Sequence, residues 1–158
     1  MRFRRGCRGW QWMLLAVTAD RITKALVRRS VLTGTLIPGV VSFRSVRNTG
    51  MAFSMLSGHF WLLTVFTALV IAGIVGFLFM KPDENALLRA GLWLIAGGGL
   101  GNLYDRLTLG SVIDFIRLDF VRFAIFNAAD VCICAGAALV LLGAWRAERE
   151  KERADGEV

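Results

Sequence analysis

Histidine and cysteine, the residues that hold most protein-bound zinc, are scarce in this sequence. There is one histidine, His59, and the three cysteines are Cys7, Cys132 and Cys134. The last two lie two positions apart inside an apolar stretch, so neither a Cys-x-x-Cys pair nor a disulfide framework is present. We therefore expect no metal site and no cofactor.

Proline and flexible polar linkers are scarce as well, and this limits the number of domains. The chain has two prolines and no serine-glycine linker in its 158 residues. A chain of this length is enough for one domain and leaves no room for a second of ordinary size. We predict a single domain across residues 1–158.

Apolar residues dominate what is present, and they come in uncharged blocks. Hydrophobic residues make up 56% of the chain and the mean hydropathy is +0.57, above the roughly 45–50% apolar content of soluble domains. A helix needs about 20 mostly apolar residues to cross the hydrocarbon core. Four blocks approach this, at about residues 10–27, 60–80, 86–103 and 124–145. We predict an all-α membrane protein with four transmembrane helices.

The first block has the basic flank of a secretory signal peptide, but we expect it to be retained. Asp20, Arg21 and Lys24 follow its short apolar core directly, and no small-residue cleavage site is evident. Residues 1–9 carry four arginines and no acid, and such an arm stays in the cytoplasm. Four spans then place both termini in the cytoplasm and the segments at about 28–59 and 104–123 on the outer side. Basic residues concentrate at the ends of the apolar blocks, as in membrane proteins generally. This accounts for the net charge of +7, so a nucleic-acid partner is not expected.

The first outer segment has the composition of short strands. Valine and phenylalanine lie there among serine, threonine and glycine, and Pro38-Gly39 is a turn signal. The apolar members are Val40, Val41, Phe43 and Val46. We predict a small extracytoplasmic β-cradle between helices 1 and 2.

Ionisable side chains inside the apolar blocks need an explanation, because such groups are costly in a membrane and usually mark function. Asp20 and Lys24 are one helical turn apart and can pair. Two interpretations remain open, a structural ion pair and a scaffold for a substrate site. The glycines Gly97 and Gly101 form a GxxxG pair suited to close helix packing.

Two further acids can meet near the outer interface. Asp114 lies in the second outer segment, and Asp130 opens the last helix three residues after Asn127, on the same helical face. Two close carboxylates cannot both ionise cheaply, so one keeps a proton and the pair can act as acid and base in peptide hydrolysis. A small proton-coupled transporter also uses buried acids, but it places them near the midplane. The residues alone favour the hydrolase without deciding the matter.

Five short motifs occur in the order in which they occur in a known family. They are Asp20-x-x-Thr23-Lys24, Asn48-x-Gly50-x-Ala52-Phe53, Gly98-x-x-Gly101-Asn102-x-x-Asp105-Arg106, Val112-x-Asp114-Phe115 and Phe126-Asn127-x-Ala129-Asp130. Each is weak alone, whereas all five in register on a chain with four apolar blocks are specific. From Asp20 to Asp130 the sequence resembles lipoprotein signal peptidase, also called signal peptidase II, of bacterial membranes.

The resemblance implies a membrane aspartic endopeptidase that cleaves the signal peptide from prolipoproteins immediately before a diacylglyceryl-modified cysteine. Asp114 and Asp130 match the catalytic pair. Substrate-binding or supporting positions are matched by Asp20, Lys24, Asn48, Gly50, Gly98, Asn102, Arg106, Asn127 and Ala129. The expected partners are these prolipoproteins, membrane lipid and globomycin-type inhibitors. We expect a monomer in the bacterial cytoplasmic (inner) membrane, with its site near the outer face.

Overall fold

The computed structural model of the protein describes residues 8–50, 59–81 and 84–156. Ala52 and Phe53 of the second motif lie outside these ranges. The described chain forms four helices and three strands. In chain order they are α1 (Trp10–Arg28), β1 (Gly34–Ile37), β2 (Val41–Asn48), α2 (Phe60–Met80), α3 (Ala86–Leu109), β3 (Val112–Leu118) and α4 (Ala128–Gly156).

Three of the described helices are long and apolar enough to cross a membrane, at Phe60–Met80, Ala86–Leu109 and Ala128–Glu150. The prediction of a helical membrane protein is thereby confirmed. The helix α1 spans 19 residues, but its second half carries the charged side chains already noted. Among the described residues, α1 is not one of the three helices that meet this length and composition.

The helix α3 continues six residues beyond the predicted end at 103, so the second connection begins at residue 110 rather than 104. The prediction stopped where the apolar run stops. The helix continues because its polar residues Asn102 and Asp105 are buried against polar partners. It ends at Gly110, whose φ of 69° is left-handed and whose N–H donates to the carbonyl of Arg106 at 3.0 Å. Glycine is the residue that accepts this terminating conformation without strain.

The helix α4 begins at Ala128, four residues after the predicted start at 124. The preceding Phe126 is instead held in an antiparallel bridge to Ile116, with N–H to carbonyl distances of 3.1 and 2.8 Å in the two directions. At its other end α4 runs past the predicted limit of 145 to Gly156. In this charged extension the guanidinium of Arg149 lies 4.6 Å from the ring centre of Trp145.

The strands form one antiparallel sheet in the order β1-β2-β3. Pro38 and Gly39 form the turn between β1 and β2, with Gly39 at φ 73° and the Val40 N–H donating to the Ile37 carbonyl at 3.0 Å. The predicted β-cradle between helices 1 and 2 was incomplete, because its third strand comes from the connection between α3 and α4. The pairing of β3 with β2 could not be seen locally, since the two strands are far apart in sequence.

Close backbone approach holds α3 against its neighbours α1, α2 and α4. A Cβ atom added to Gly91 would lie 2.5 Å from the Gly136 carbonyl oxygen, and one added to Gly97 would lie 2.7 Å from the Met13 carbonyl oxygen. In a membrane the hydrophobic effect does not drive helices together, because lipid tails are as apolar as the side chains. Small residues at such crossings let the helices approach closely enough for van der Waals packing to hold them. The α3–α4 contact therefore depends on residues without side chains.

Replacing Gly91 by alanine should separate α3 from α4, because the new methyl group would collide with backbone of α4 rather than with a movable side chain. We expect a loss of about 1–3 kcal/mol in stability, the usual cost of overpacking. Thermal unfolding in detergent, followed by tryptophan fluorescence, measures it. The matched control is Gly73→Ala in α2, where nothing lies within 4 Å; an equal loss there would contradict the explanation.

Candidate active site

The start of α4 is closed by a reciprocal pair of side-chain caps. The Asn127 side-chain oxygen accepts from the Asp130 backbone N–H at 3.1 Å, and an Asp130 carboxylate oxygen accepts from the Asn127 backbone N–H at 3.0 Å. This is the capping-box arrangement, with an acid three residues after the N-cap. It satisfies two backbone donors that the helix leaves unpaired. The other oxygen of Asp130 is thereby turned towards α3.

On α3, Asn102 receives this second oxygen. Its side-chain N–H₂ donates to Asp130 Oδ1 at 2.8 Å, while its oxygen accepts from the Asn127 side chain at 3.1 Å. These short side chains meet because the helices cross closely one turn earlier, where a Cβ on Gly98 would collide with the Ala129 carbonyl. Ala129 itself is fully buried.

The strand β3 supplies the other acid, Asp114, which is 3% exposed. Asn127 donates to its Oδ1 at 2.6 Å, and Asn48 at the end of β2 donates to its Oδ2 at 2.9 Å. Asn127 therefore bonds Asp114 directly and Asp130 through the cap. The two predicted acids converge, as the sequence indicated, with one asparagine between them.

Burial changes the acidity of Asp114. Removal from water is the largest influence and raises the pKa of its carboxyl from the usual 3.8 to about 6. Hydrogen bonds from Asn48 and Asn127 oppose this, and the neighbouring charge of Asp130 adds to it. A carboxyl group with this pKa can hold a proton while its neighbour is ionised.

Behind this pair lies a cluster of four ionised side chains on α1 and α3, which we call the ion cluster: Asp20, Arg21, Lys24 and Asp105. Lys24 pairs with Asp20 at 2.9 Å and with Asp105 at 2.7 Å, and Arg21 pairs with Asp105 at 2.8 Å and also contacts Asp20. Asp20 and Asp105 are at most 1% exposed. The predicted pairing of Asp20 with Lys24 is present, within a larger network.

A cavity of about 590 Å³ opens beside the two acids. Its polar wall comprises Asn48, Gly50, Asn102, Arg106, Asp114 and Asp130. Its apolar wall includes Phe123, Ile125, Val131 and Ile133. Two carboxyl groups, amide donors and one guanidinium thus face a space that is otherwise apolar. Such a site can bind an extended apolar chain and place an amide bond against an acid-base pair.

Within the described residues, no group of three His, Cys, Asp or Glu side chains is placed to hold a metal ion. The predicted residues fall into two sets. The six of the polar wall face the cavity, whereas Asp20, Lys24, Gly98, Asn127 and Ala129 lie behind it. Gly50 and Arg106 touch each other, since the guanidinium of Arg106 approaches the Gly50 carbonyl at 3.4 Å.

Two members of the ion cluster, Arg21 and Asp105, are absent from the residues that the sequence singled out for the site. The signal that could have found them is charge balance. Asp20 and Lys24 neutralise each other, so an acid on α3, Asp105, needs a further cation on α1, which is Arg21. The Asn127-x-x-Asp130 capping signature was also readable in the sequence. It would have predicted the helix start at residue 128.

Comparison with known proteins gives the class and then the family. The structure resembles solved bacterial membrane enzymes determined by the in meso method. One at 2.3 Å resolution gives a TM-score of 0.81 at 27% identity and covers 89% of both chains, and another at 1.9 Å gives 0.74 at 28% identity with 84% and 88% covered. The family model described as Signal peptidase (SPase) II, Peptidase_A8, matches residues 12–146. The chain belongs to this family.

Curated relatives agree with the family model. The lipoprotein signal peptidase of Streptococcus pyogenes serotype M1 is 40% identical over 139 residues, which are 86% of this chain and 91% of the relative. That of serotype M5, strain Manfredo, shows the same identity and coverage. The class is therefore a membrane-embedded peptidase, as the five motifs predicted.

The acidity of Asp114 should depend on Asp130. Because the charge of Asp130 adds to the pKa of Asp114 while burial remains the larger cause, Asp130→Asn should lower that pKa below its wild-type value but leave it above 3.8. The chain has seven aspartates, so selective ¹³C labelling of aspartate carboxyls with a pH titration can resolve this one. Its signal is assigned by its loss in Asp114→Asn. A pKa as high in Asp130→Asn as in the wild type would show that the two groups do not interact.

Proposed function

We propose that this protein is a membrane aspartic endopeptidase that removes the signal peptide from prolipoproteins, cutting immediately before a diacylglyceryl-modified cysteine. Membership of the signal peptidase II family supports the reaction and the substrate class. The observation that carries the residue assignment is the Asp114–Asn127–Asp130 linkage at the polar wall of the cavity. A transporter using the same acids is not favoured, because the family is a peptidase family.

In this proposal Asp114 is the acid and Asp130 the base. The raised pKa of Asp114 makes it the better proton carrier, and a substrate that displaces water from the cavity would favour its protonated form further. Asp130 accepts two N–H donors, from Asn102 and from the Asn127 backbone. Asp114 accepts two N–H donors as well, so the proposed division of roles rests on the burial that raises the pKa of Asp114.

The proposed reaction follows the chemistry of two coupled carboxyl groups. Asp130 takes a proton from a water molecule while the water oxygen bonds to the carbonyl carbon of the scissile peptide. Asp114 donates a hydrogen bond to the carbonyl oxygen and stabilises the charge that develops there. The tetrahedral intermediate then loses its C–N bond, and a carboxyl proton of the pair passes to the leaving amine. The products are a free signal-peptide carboxylate and a new amino terminus.

The remaining polar-wall residues are proposed to orient the substrate. Asn48 and Asn102 hold the carboxyl oxygens in place, and Gly50 offers backbone groups to an extended peptide. Arg106 supplies a positive charge near both acids. Asp20, Lys24, Gly98, Asn127 and Ala129 support this wall from behind. No member of the set requires a cofactor.

The surroundings proposed for this site are those of a membrane interface. The helix α1 would be a fourth span, with both termini in the cytoplasm and the sheet on the outer side of the bacterial inner membrane. The whole chain, residues 1–158, would act as a single peptidase domain and as a monomer. The apolar wall would receive signal peptide and lipid, and buried acyl chain contributes about 0.8 kcal/mol per CH₂. Globomycin-type inhibitors would occupy the same cavity.

Asp114→Asn and Asp130→Asn should each lower turnover by roughly 10³-fold or more, because each removes one half of the acid-base pair. The assay is purified enzyme on a diacylated prolipoprotein. Asp119→Asn is the matched control: it removes a carboxylate from the same connection, where Asp119 pairs with Arg117 rather than facing the acids. Normal turnover by either dyad variant would refute the assignment.

The lipid on the substrate should be required. We expect little cleavage of the same precursor when its cysteine carries no diacylglyceryl group, because the acyl chains contribute binding energy that the peptide alone lacks. Initial rates on the two precursors at matched concentration measure this. Equal rates would show that the enzyme recognises the peptide alone.

A further inference from the structure

The ion cluster does not face the cavity, and the proposed reaction does not use it. Lys24 is 2% exposed and Asp20 is fully buried. Removing ionised groups from water is costly, and a buried ion pair is often no more stabilising than apolar side chains of the same size. Stability alone is therefore a weak reason for four charged residues at this position.

The contacts of Lys24 indicate a more specific role. Its ammonium group forms ion pairs with Asp20 Oδ1 at 2.9 Å and Asp105 Oδ2 at 2.7 Å, and it donates a hydrogen bond to Asn102 Oδ1 at 3.1 Å. The two acids neutralise the cation and fix its position. The third contact is to a polar-wall residue that bonds Asp130.

An ammonium group can donate hydrogen bonds but cannot accept them. Asn102 must therefore present its oxygen to Lys24, and its N–H₂ group then faces Asp130, at 2.8 Å. The positive charge beside the oxygen also polarises the amide, which makes its N–H₂ a stronger donor. Asn127 donates to the same oxygen at 3.1 Å and reinforces this orientation.

We propose that Lys24 is a positioning residue for the peptidase reaction, which acts through the side-chain amide of Asn102 to hold Asp130 in its reactive orientation. The inference rests on the proposed function of Asp130. Asp20 and Asp105 serve it by holding the ammonium group in place. Residues that orient a reacting group from behind typically contribute 10- to 100-fold to activity.

A separate contact ties the ion cluster to the strand of the other acid. Asp105 Oδ2 accepts from the backbone N–H of Ile113, next to Asp114, at 3.2 Å. Lys24 pairs with the same oxygen at 2.7 Å, but the backbone donor of Ile113 and the ion pair of Asp105 with Arg21 remain when Lys24 is removed. Removing Lys24 should thus disturb the side of the site around Asn102 and leave the hydrogen bond from Asn48 to Asp114 in place.

The amide signals of asparagine allow a direct test. The chain contains four asparagines, Asn48, Asn85, Asn102 and Asn127, so selective ¹⁵N labelling gives a spectrum with four side-chain N–H₂ pairs. The variant to compare is Asp20→Asn with Lys24→Met, which removes one negative and one positive charge together. We expect the Asn102 and Asn127 signals to move. Those of Asn48, and of Asn85 at the start of α3, should remain.

Kinetics on the diacylated prolipoprotein provide the second readout. The double variant should lose about 10- to 100-fold in kcat with KM unchanged, because Lys24 does not line the cavity. The control is Arg117→Met with Asp119→Asn, which removes an ion pair of 2.7 Å elsewhere and should leave kcat and all four signals unchanged. Asp20→Asn alone should move the Asn102 signals less than the double variant does, since Lys24 keeps its contacts with Asp105 and Asn102.

If the methionine variant does not fold, Asp20→Asn with Lys24→Leu, which also lacks a donor, replaces it, and native Asn85 signals identify a folded sample. In whichever double variant is folded, unmoved Asn102 signals or a wild-type kcat would overturn the positioning role. The spectra are recorded without substrate, so they do not depend on turnover. Normal cleavage by Asp114→Asn would instead refute the proposed function and leave the amide result standing.

Discussion

The side-chain amide of Asn127 is the constraint on which the rest of the site depends. Its oxygen accepts from the backbone N–H of Asp130, a donor that every residue except proline would provide at that position. The orientation of the amide is fixed by that bond, so its two N–H bonds must point at Asp114 and Asn102. A helix cap, which ordinarily serves only the helix, here aligns an acid from a strand with an acid from a helix.

Short polar side chains can form this network only because the helices approach closely. Gly98 brings α3 within contact of the backbone at Ala129, and Gly101 leaves the space that the Asp20 carboxylate occupies. A longer spacing would require glutamine or glutamate, whose extra torsion makes a buried orientation harder to hold. Close packing and the geometry of the proposed acid-base pair are therefore set by the same small residues.

The sequence predicted those features that depend on local pattern. The uncharged run at α2 gave its bounds, and the acids Asp114 and Asp130 were brought together by reasoning on helix direction alone. The ends of α3 and α4 were misplaced because polarity was taken as a boundary, whereas buried partners let Asn102 and Asp105 remain helical. The third strand and the place of Arg21 were not predicted, since both depend on contacts between distant parts of the chain.

The sheet joins β2 to β3, two segments separated in the chain by both α2 and α3. During synthesis β2 therefore has no β3 to pair with until both α2 and α3 have been made. Asn127 and Asp130 come later still, so every shorter nascent chain lacks the amide that aligns the acids. A growing chain thus lacks the proposed acid-base pair until its last helix has been made.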